Sequence, residues 1–119
     1  MTKQLLKNAP REAAFLLREH VEVLPGQVVS KTLAQNQSLS ITLFAFDKGE
    51  EIGAHESEGD ALVTVLEGNG RFTVDGEAYT LGPGESLLMP SPKPHAVFAP
   101  ETFKMLLLVV FPQPEKEEK

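Results

Sequence analysis

Short runs of β-forming residues, each ended by Gly, Pro or Asn, follow one another along this chain from residue 27 to residue 111. The clearest turn between them is Asp75-Gly76, because a two-residue type I′ hairpin loop needs positive φ at both central positions. Such a loop would place Phe72 opposite Tyr79 on the flanking strands. Many short strands joined by such turns predict an all-β, antiparallel sandwich or barrel.

The two ends of the chain differ from this strand-rich middle. Pro10 suits the first turn of a helix, and residues 11–19 contain good helix formers, so we expect a short N-terminal helical segment within an arm over residues 1–25. Residues 26–111 would form the β-domain, and residues 112–119 a charged, disordered tail. A chain of 119 residues has room for one domain with one core.

Composition excludes several classes of function. The chain has no Cys, which rules out disulfides, thiolate metal sites and cysteine nucleophiles and agrees with a reducing, cytoplasmic location. Its formal net charge of -6 repels phosphate backbones, so we expect no nucleic-acid partner. Residues 1–6 lack the apolar core of a secretion signal, and the longest apolar run, residues 105–111, is too short to span a bilayer. We therefore expect no membrane partner.

Two runs are more apolar than one small barrel requires. In residues 41–46 both alternating sets of side chains are substantially apolar, and residues 103–111 are nearly all apolar. A strand that is apolar on both faces is covered on both sides. The excess predicts a homodimer, with residues 13–17 packing across or beside the contact.

Two of the three histidines stand in similar surroundings. His55 comes before the apolar run of residues 62–66, and His95 follows the run of residues 86–89 and the proline that bounds it. Each run is short and bounded by Gly or Pro, which is typical of strands. The sequence therefore predicts one site, assembled inside an all-β fold from two separate parts of the chain.

The spacing around these histidines resembles the two motifs of the cupin superfamily, which are small β-barrels of the jelly-roll type. The matching residues are Gly49, His55 and Gly68 in the first motif and Gly84, Pro90 and His95 in the second. The resemblance covers residues 26–111. It implies an all-β, antiparallel jelly-roll β-barrel, which the short N-terminal helical segment would precede.

This chain departs from the family's pattern at the metal site. Ser57 stands where the first motif has its second His, and Ala61 where it has its Glu, with Asp60 one place earlier. Of the family's usual metal ligands only His55 and His95 are kept. The resemblance therefore implies an incomplete metal site.

The two imidazoles, those of His55 and His95, can hold a divalent transition metal such as Fe, Mn, Ni, Zn or Cu, but proteins usually add a third ligand. Asp60 is the first candidate for that ligand, followed by Glu56 and Glu58. Two histidines and one carboxylate with open positions form the pattern of non-haem iron sites.

Strand alternation bears on this third ligand. If His55 points inward on an unbroken strand, Asp60 points outward, unless Gly59 permits a bulge or turn that shifts the phase by one. A pocket without a metal is the equal alternative. In that pocket Ser57, His55 and His95 would contact a small-molecule ligand directly.

Two functions follow from these alternatives. The first is a small-molecule-binding protein that holds an apolar or sugar-like ligand in the barrel interior near His55 and His95. The second is a metal-dependent enzyme, an oxygenase, isomerase or lyase acting on a small organic substrate, in which the metal would activate dioxygen or polarise a carbonyl. The missing ligands favour the first function.

Overall fold

Nine strands form the frame of the protein in the computed structural model, which describes residues 4–114. The strands are β1 (Val28–Gln35), β2 (Leu39–Phe46), β3 (Glu51–His55), β4 (Asp60–Glu67), β5 (Gly70–Val74), β6 (Glu77–Leu81), β7 (Ser86–Met89), β8 (His95–Phe98) and β9 (Phe103–Val110). They make a five-stranded sheet in the order β1-β2-β9-β4-β7 and a four-stranded sheet in the order β3-β8-β5-β6. All the pairings are antiparallel, which confirms the class predicted from the sequence.

The hairpin at Asp75-Gly76 forms as predicted. Asp75 has φ 50° and Gly76 has φ 86°, which are the positive values that a type I′ turn requires. Strands β5 and β6 flank this turn, with Phe72 directly opposite Tyr79.

The prediction of an N-terminal helix over residues 11–19 is wrong. Between residue 4 and the start of β1 the only helical element is a 3-10 turn at Leu17–Glu19. Glu12 has a φ of 53°, a left-handed conformation that interrupts a right-handed helix. Leu16, at the N-cap of the turn, makes no capping hydrogen bond with its side chain. Good helix formers alone therefore do not suffice, because so short a helix is stable only when an apolar face packs on the rest of the protein.

The structure shows a two-sheet sandwich and does not show the closed jelly-roll barrel that the sequence predicts. Every strand pairs within its own sheet, which leaves β6 and β7 as edge strands of different sheets. Pro90 follows β7 directly. A proline lacks the N–H that would continue the ladder, so β7 ends after four residues.

Aromatic side chains fill the space between the two sheets. Phe103 of β9 stacks on Phe46 of β2 with the ring centroids 4.7 Å apart, and it meets Phe72 of β5 edge to face at 6.0 Å. All three side chains are fully buried. Burial of this apolar surface holds the two sheets together.

The outer face of the five-stranded sheet is apolar as well, as residues 41–46 predict. Part of it is covered by the N-terminal segment, whose Val21 is buried in one cluster with Leu43. The rest carries aliphatic side chains that stay exposed, including Leu62 (41%) and Leu88 (57%), which lie opposite each other on β4 and β7. No contact described here tests the homodimer, which stays a prediction.

No helix within residues 4–114 is long and apolar enough to cross a membrane. The last strand ends at Val110, close to the predicted end of the β-domain. Residues 115–119 of the predicted tail and residues 1–3 of the predicted arm lie outside the described residues.

Candidate functional site

His55 and His95 lie side by side in the structure. They are opposite each other in the pairing of β3 with β8, and their ring centroids are 4.4 Å apart. Residues directly opposite each other on antiparallel strands project from the same face of the sheet. On the other side of His95 its partner on β5 is Val74, which belongs to the core cluster between the sheets. The predicted meeting of the two histidines is therefore what the fold produces, on the inner face of the four-stranded sheet.

A β-bulge in β3 turns His55 toward this inner face. Ile52 is opposite Val97 and His55 is opposite His95, so two residues of β3 face one residue of β8 between these pairs. Ile52 packs on the core, and without the extra residue simple alternation would send the side chain of His55 to the opposite face. This bulge precedes His55 and leaves the relation between His55 and Asp60 unchanged. His55 ends β3 and Asp60 begins β4 in the other sheet, so alternation along one strand, with or without a shift at Gly59, does not relate the two side chains.

The bulge also orients the imidazole of His55. Its Nδ1 lies 3.0 Å from the carbonyl oxygen of Gly53. A carbonyl oxygen can only accept a hydrogen bond, so Nδ1 carries the proton and Nε2 of the neutral ring keeps a free lone pair. The side chain of His55 is exposed, and this lone pair can accept a hydrogen bond from a ligand or coordinate a metal ion.

His95, in contrast, is buried, with only 5% of its surface exposed. Its Nδ1 has no hydrogen-bond partner within residues 4–114. Burial lowers the pKa of His95 below its ordinary value of 6.5, and a positive charge on His55, when that ring is protonated, lowers it further, while a weak polar contact with the Lys93 backbone raises it. The ring is therefore neutral near neutral pH. A buried, unpartnered polar atom is costly, and a bound ligand is one way to satisfy it.

This burial predicts a pH-dependent stability for the metal-free protein. An unfolded His takes up a proton near its ordinary pKa, whereas folded His95 resists protonation until a lower pH. The stabilisation that His95 contributes is fully present above the pKa of this residue in the unfolded state. It is lost as the pH falls toward the lower pKa of the folded state. The free energy of unfolding should decrease by at most about 1.4 kcal/mol per pH unit from this residue.

Urea unfolding with chelator present, at several values between about pH 7.5 and about pH 5.5, measures this effect. The slope that His95 contributes should be missing in His95→Gln and retained in His20→Gln. Parallel pH profiles for the protein and His95→Gln would contradict the expectation.

Asp60 and Ser57 take part in a set of hydrogen bonds between two loops. The backbone N–H of Ser91 donates to Oδ1 of Asp60 at 2.9 Å, and the Ser91 hydroxyl donates to the carbonyl oxygen of Ser57 at 2.8 Å. The hydroxyl of Ser57 accepts a hydrogen bond of 3.2 Å from the N–H of Gly59. We call Ser57, Asp60 and Ser91 the loop clasp, because they join the β3–β4 loop to the β7–β8 loop.

The donor set fits a metal ion only in part. The imidazoles of His55 and His95 are adjacent and can supply two nitrogen ligands. Residues 4–114 contain no group of three or more His, Asp or Glu side chains placed to hold a metal ion. Asp60, the first candidate for a third ligand, lies on β4 in the other sheet and accepts a hydrogen bond from Ser91. A metal held by the pair would thus depend on water or a bound ligand to complete its coordination.

A cleft of about 330 Å³ opens beside the site, between the edge strands β6 and β7. Its walls include Val74, which is the β5 partner of His95, together with Tyr79 and Leu87. The Tyr79 hydroxyl donates to Oε2 of Glu77 at 2.8 Å, and this hydrogen bond and the carboxylate charge raise the pKa of Tyr79. Tyr79 is therefore both the cross-strand partner of Phe72, as predicted, and part of the wall of this cleft.

Two contributors to the site were not predicted from the sequence. One is Gly53, whose carbonyl orients His55; a glycine inside a strand pattern is a known signal for a bulge and could have pointed to it. The other is Ser91, which donates two hydrogen bonds across the loops. No sequence signal singles out Ser91, because its partners lie in a distant part of the chain.

The two-sheet antiparallel sandwich with inward-facing histidines on adjacent strands agrees with the double-sheet architecture of the cupins, which the motif spacing resembles. Residues 42–111 match the family model described as a cupin domain, and the chain belongs to the cupin family.

Solved structures of similar proteins agree with this assignment. The chain is similar to a conserved protein of unknown function from Streptococcus pyogenes, with 41% identity over 96% of this chain and 100% of that one and a TM-score of 0.92. It is also similar to a cupin superfamily protein from Desulfitobacterium hafniense DCB-2, with 36% identity over 90% of this chain and 98% of that one and a TM-score of 0.86. A search of curated proteins gave no match.

Proposed function

We propose that this protein binds a small molecule at the pair formed by His55 and His95, in the cleft beside the pair between the edge strands β6 and β7. The observation that carries the proposal is the contact between the two rings, 4.4 Å apart, one of them buried with an unpartnered Nδ1. Structural histidines in a core usually satisfy their ring nitrogens within the protein. A pair that leaves hydrogen-bonding capacity unused on an inner face is suited to a ligand.

The surroundings of the pair define the class of ligand. His95 is neutral, and His55 presents an acceptor at Nε2, so together they can bind hydroxyl or N–H groups rather than a strong anion. The adjoining cleft has an apolar wall at Val74 and Leu87 and polar groups at Glu77 and Lys93. A small organic molecule with an apolar body and one or more hydroxyl groups matches this combination.

The orientation of His55 supports a second candidate, the metal-dependent enzyme. An Nδ1–H that donates to a backbone carbonyl is the arrangement that commonly fixes a metal-ligating histidine, and it leaves Nε2 of His55 ready to coordinate. A divalent metal bound there would polarise a carbonyl or activate dioxygen. The two imidazoles would hold the metal. The incomplete set of metal ligands, however, favours the first candidate, the small-molecule-binding protein.

A ligand and metal analysis of purified protein separates the two functions. The protein is purified without chelator and divided between elemental analysis for Fe, Mn, Ni, Zn and Cu and native mass spectrometry for a bound organic molecule. We expect a substoichiometric metal content and a small organic ligand that the double variant His55→Ala/His95→Ala loses completely. His20→Ala, a substitution of the remaining histidine, is the matched control and should keep the ligand.

A stoichiometric metal that only the double variant loses would support the enzyme instead. An organic ligand held equally by the protein and the double variant would contradict a site at the histidine pair. Protein that binds neither metal nor organic ligand, and is not stabilised by any member of a library of hydroxylated small molecules, would overturn both candidates.

A further inference from the structure

We propose that the loop clasp of Ser57, Asp60 and Ser91 positions His55 against His95, so that Asp60 acts as a positioning residue and not as a metal ligand. The inference rests on the proposed function at the histidine pair. It assigns Asp60, the carboxylate one place before the motif position, a task other than metal ligation.

The two loops joined by the clasp are the ones that carry the histidines. His55 is the last residue of β3, and the loop after it leads to β4 in the other sheet. His95 is the first residue of β8, and the loop before it comes from β7, again in the other sheet. Both loops therefore cross between the sheets at the same end of the sandwich, and a bond between them acts directly on the distance between the two rings.

The position of His55 in its sheet explains why such a restraint is needed. Strand β3 lies at the edge of the four-stranded sheet and pairs only with β8. The bulge before His55 interrupts that pairing. An edge strand with a broken ladder is held weakly at its end, so the backbone alone leaves His55 free to swing away from His95.

The clasp supplies the restraint from both sides of the loop. Ser91 binds the carbonyl oxygen of Ser57, two residues after His55, and its N–H binds the carboxylate of Asp60, where β4 begins. Between them Gly59 packs so closely that a Cβ there would overlap the carbonyl oxygen of Val110. The β3–β4 loop therefore packs on β9 on one side and is hydrogen-bonded to Ser91 on the other.

The acceptor role of Asp60 leads to a substitution that separates positioning from metal ligation. Asp60→Asn keeps an oxygen that can accept the Ser91 N–H but removes the charge, whereas Asp60→Ala removes the acceptor. If Asp60 positions the histidine pair, Asp60→Asn should keep the ring contact and the metal affinity of the unsubstituted protein, whereas Asp60→Ala should lose both. If Asp60 coordinates a metal, both variants should lose affinity alike.

The experiment measures the ring pair directly in isotopically labelled, metal-free protein. A nuclear Overhauser effect between the ring protons of His55 and His95 is expected in the protein and in Asp60→Asn. In Asp60→Ala and in Ser91→Ala it should weaken or vanish. Ser86→Ala is the matched control, because it deletes a side-chain hydrogen bond of 2.6 Å, to Thr64, at the far end of β7 from the clasp, and it should leave the effect unchanged.

Titration with Ni²⁺, used as a probe of two adjacent imidazoles, gives a second readout. Loss of the loop clasp, which sets the distance between the two imidazoles, should weaken Ni²⁺ binding about 10-fold in Asp60→Ala and Ser91→Ala, as removal of a group that positions a metal ligand does. Asp60→Asn and Ser86→Ala should retain the affinity of the protein. The free energy of unfolding of each variant, measured in urea, identifies any variant whose loss reflects partial unfolding.

Three outcomes would overturn the inference. The first is a nuclear Overhauser effect between the two rings that is unchanged in folded Asp60→Ala and Ser91→Ala. The second is a Ni²⁺ affinity that falls equally in Asp60→Asn and Asp60→Ala. The third is a loss of that effect or affinity in the control Ser86→Ala as large as in the clasp variants. None of these readouts needs the natural ligand. The clasp can therefore fail while the protein still binds a small molecule, and it can hold while the proposed function fails.

Discussion

Phe103→Ala is expected to lower the free energy of unfolding by about 3–5 kcal/mol, the range observed when a large buried aromatic side chain is removed. Phe103 is fully buried, stacks on Phe46 and meets Phe72 edge to face, so it links β9 of one sheet to β5 of the other. Gly70 lies against the same ring, so closely that a Cβ there would overlap it. The cavity left by alanine therefore has rigid walls on several sides. Urea unfolding followed by circular dichroism measures the loss.

Phe98→Ala is the matched control for this substitution. Phe98 is only half-buried, and its ring lies 5.4 Å from the guanidinium carbon of Arg71. Its removal should lower the free energy of unfolding by only about 1 kcal/mol, because it leaves no enclosed cavity. Equal losses for the two variants would mean that the aromatic contact between the sheets is not the main source of stability.

Gly68→Ala should destabilise the protein by roughly 3 kcal/mol or more, because two separate penalties meet at this position. Gly68 has φ +72°, a left-handed conformation that an L side chain adopts at a cost. An added Cβ would also overlap the carbonyl oxygen of Thr102, a backbone atom that cannot rotate aside. The expected result is a large drop in the midpoint of thermal unfolding with the same secondary structure at low temperature.

Gly84→Ala isolates the first of these penalties. Gly84 has a similar φ of +86°, but nothing lies within 4 Å of the place of its Cβ. This variant should lose only about 1–2 kcal/mol, the cost of the left-handed conformation alone. A loss in Gly68→Ala no greater than that in Gly84→Ala would show that the turn after β4 shifts to make room for the side chain.

Local signals in the sequence predicted much of this architecture. The Asp75-Gly76 turn depends on the φ values of two neighbouring residues, and the hairpin forms with the predicted opposition of Phe72 and Tyr79. The both-faced apolar pattern of residues 41–46 likewise corresponds to a strand packed on both sides. The N-terminal helix was predicted wrongly, because helix propensity over a few residues is a weak determinant and Glu12 takes a left-handed conformation inside the predicted segment.

The candidate site was predicted in part. Motif spacing brought His55 and His95 together, and the structure pairs them. The spacing could not show that a bulge at residues 53 and 54 turns His55 inward, because alternation counted along the chain assumes an unbroken ladder. The partner of Asp60 was equally hidden, since Ser91 approaches it only when the two crossover loops meet.

Residue type and order alone determined that this chain forms antiparallel strands, where its tight turn lies, and which two imidazoles belong to one site. Tertiary structure alone decided the environments of those imidazoles, with His95 buried and His55 exposed, and gave the neighbouring carboxylate to a backbone N–H. The physical reason is the distance along the chain over which each property is determined. Turn conformation and side-chain alternation depend on adjacent residues, whereas burial and hydrogen-bond partners depend on which distant segments the folded sheets bring into contact.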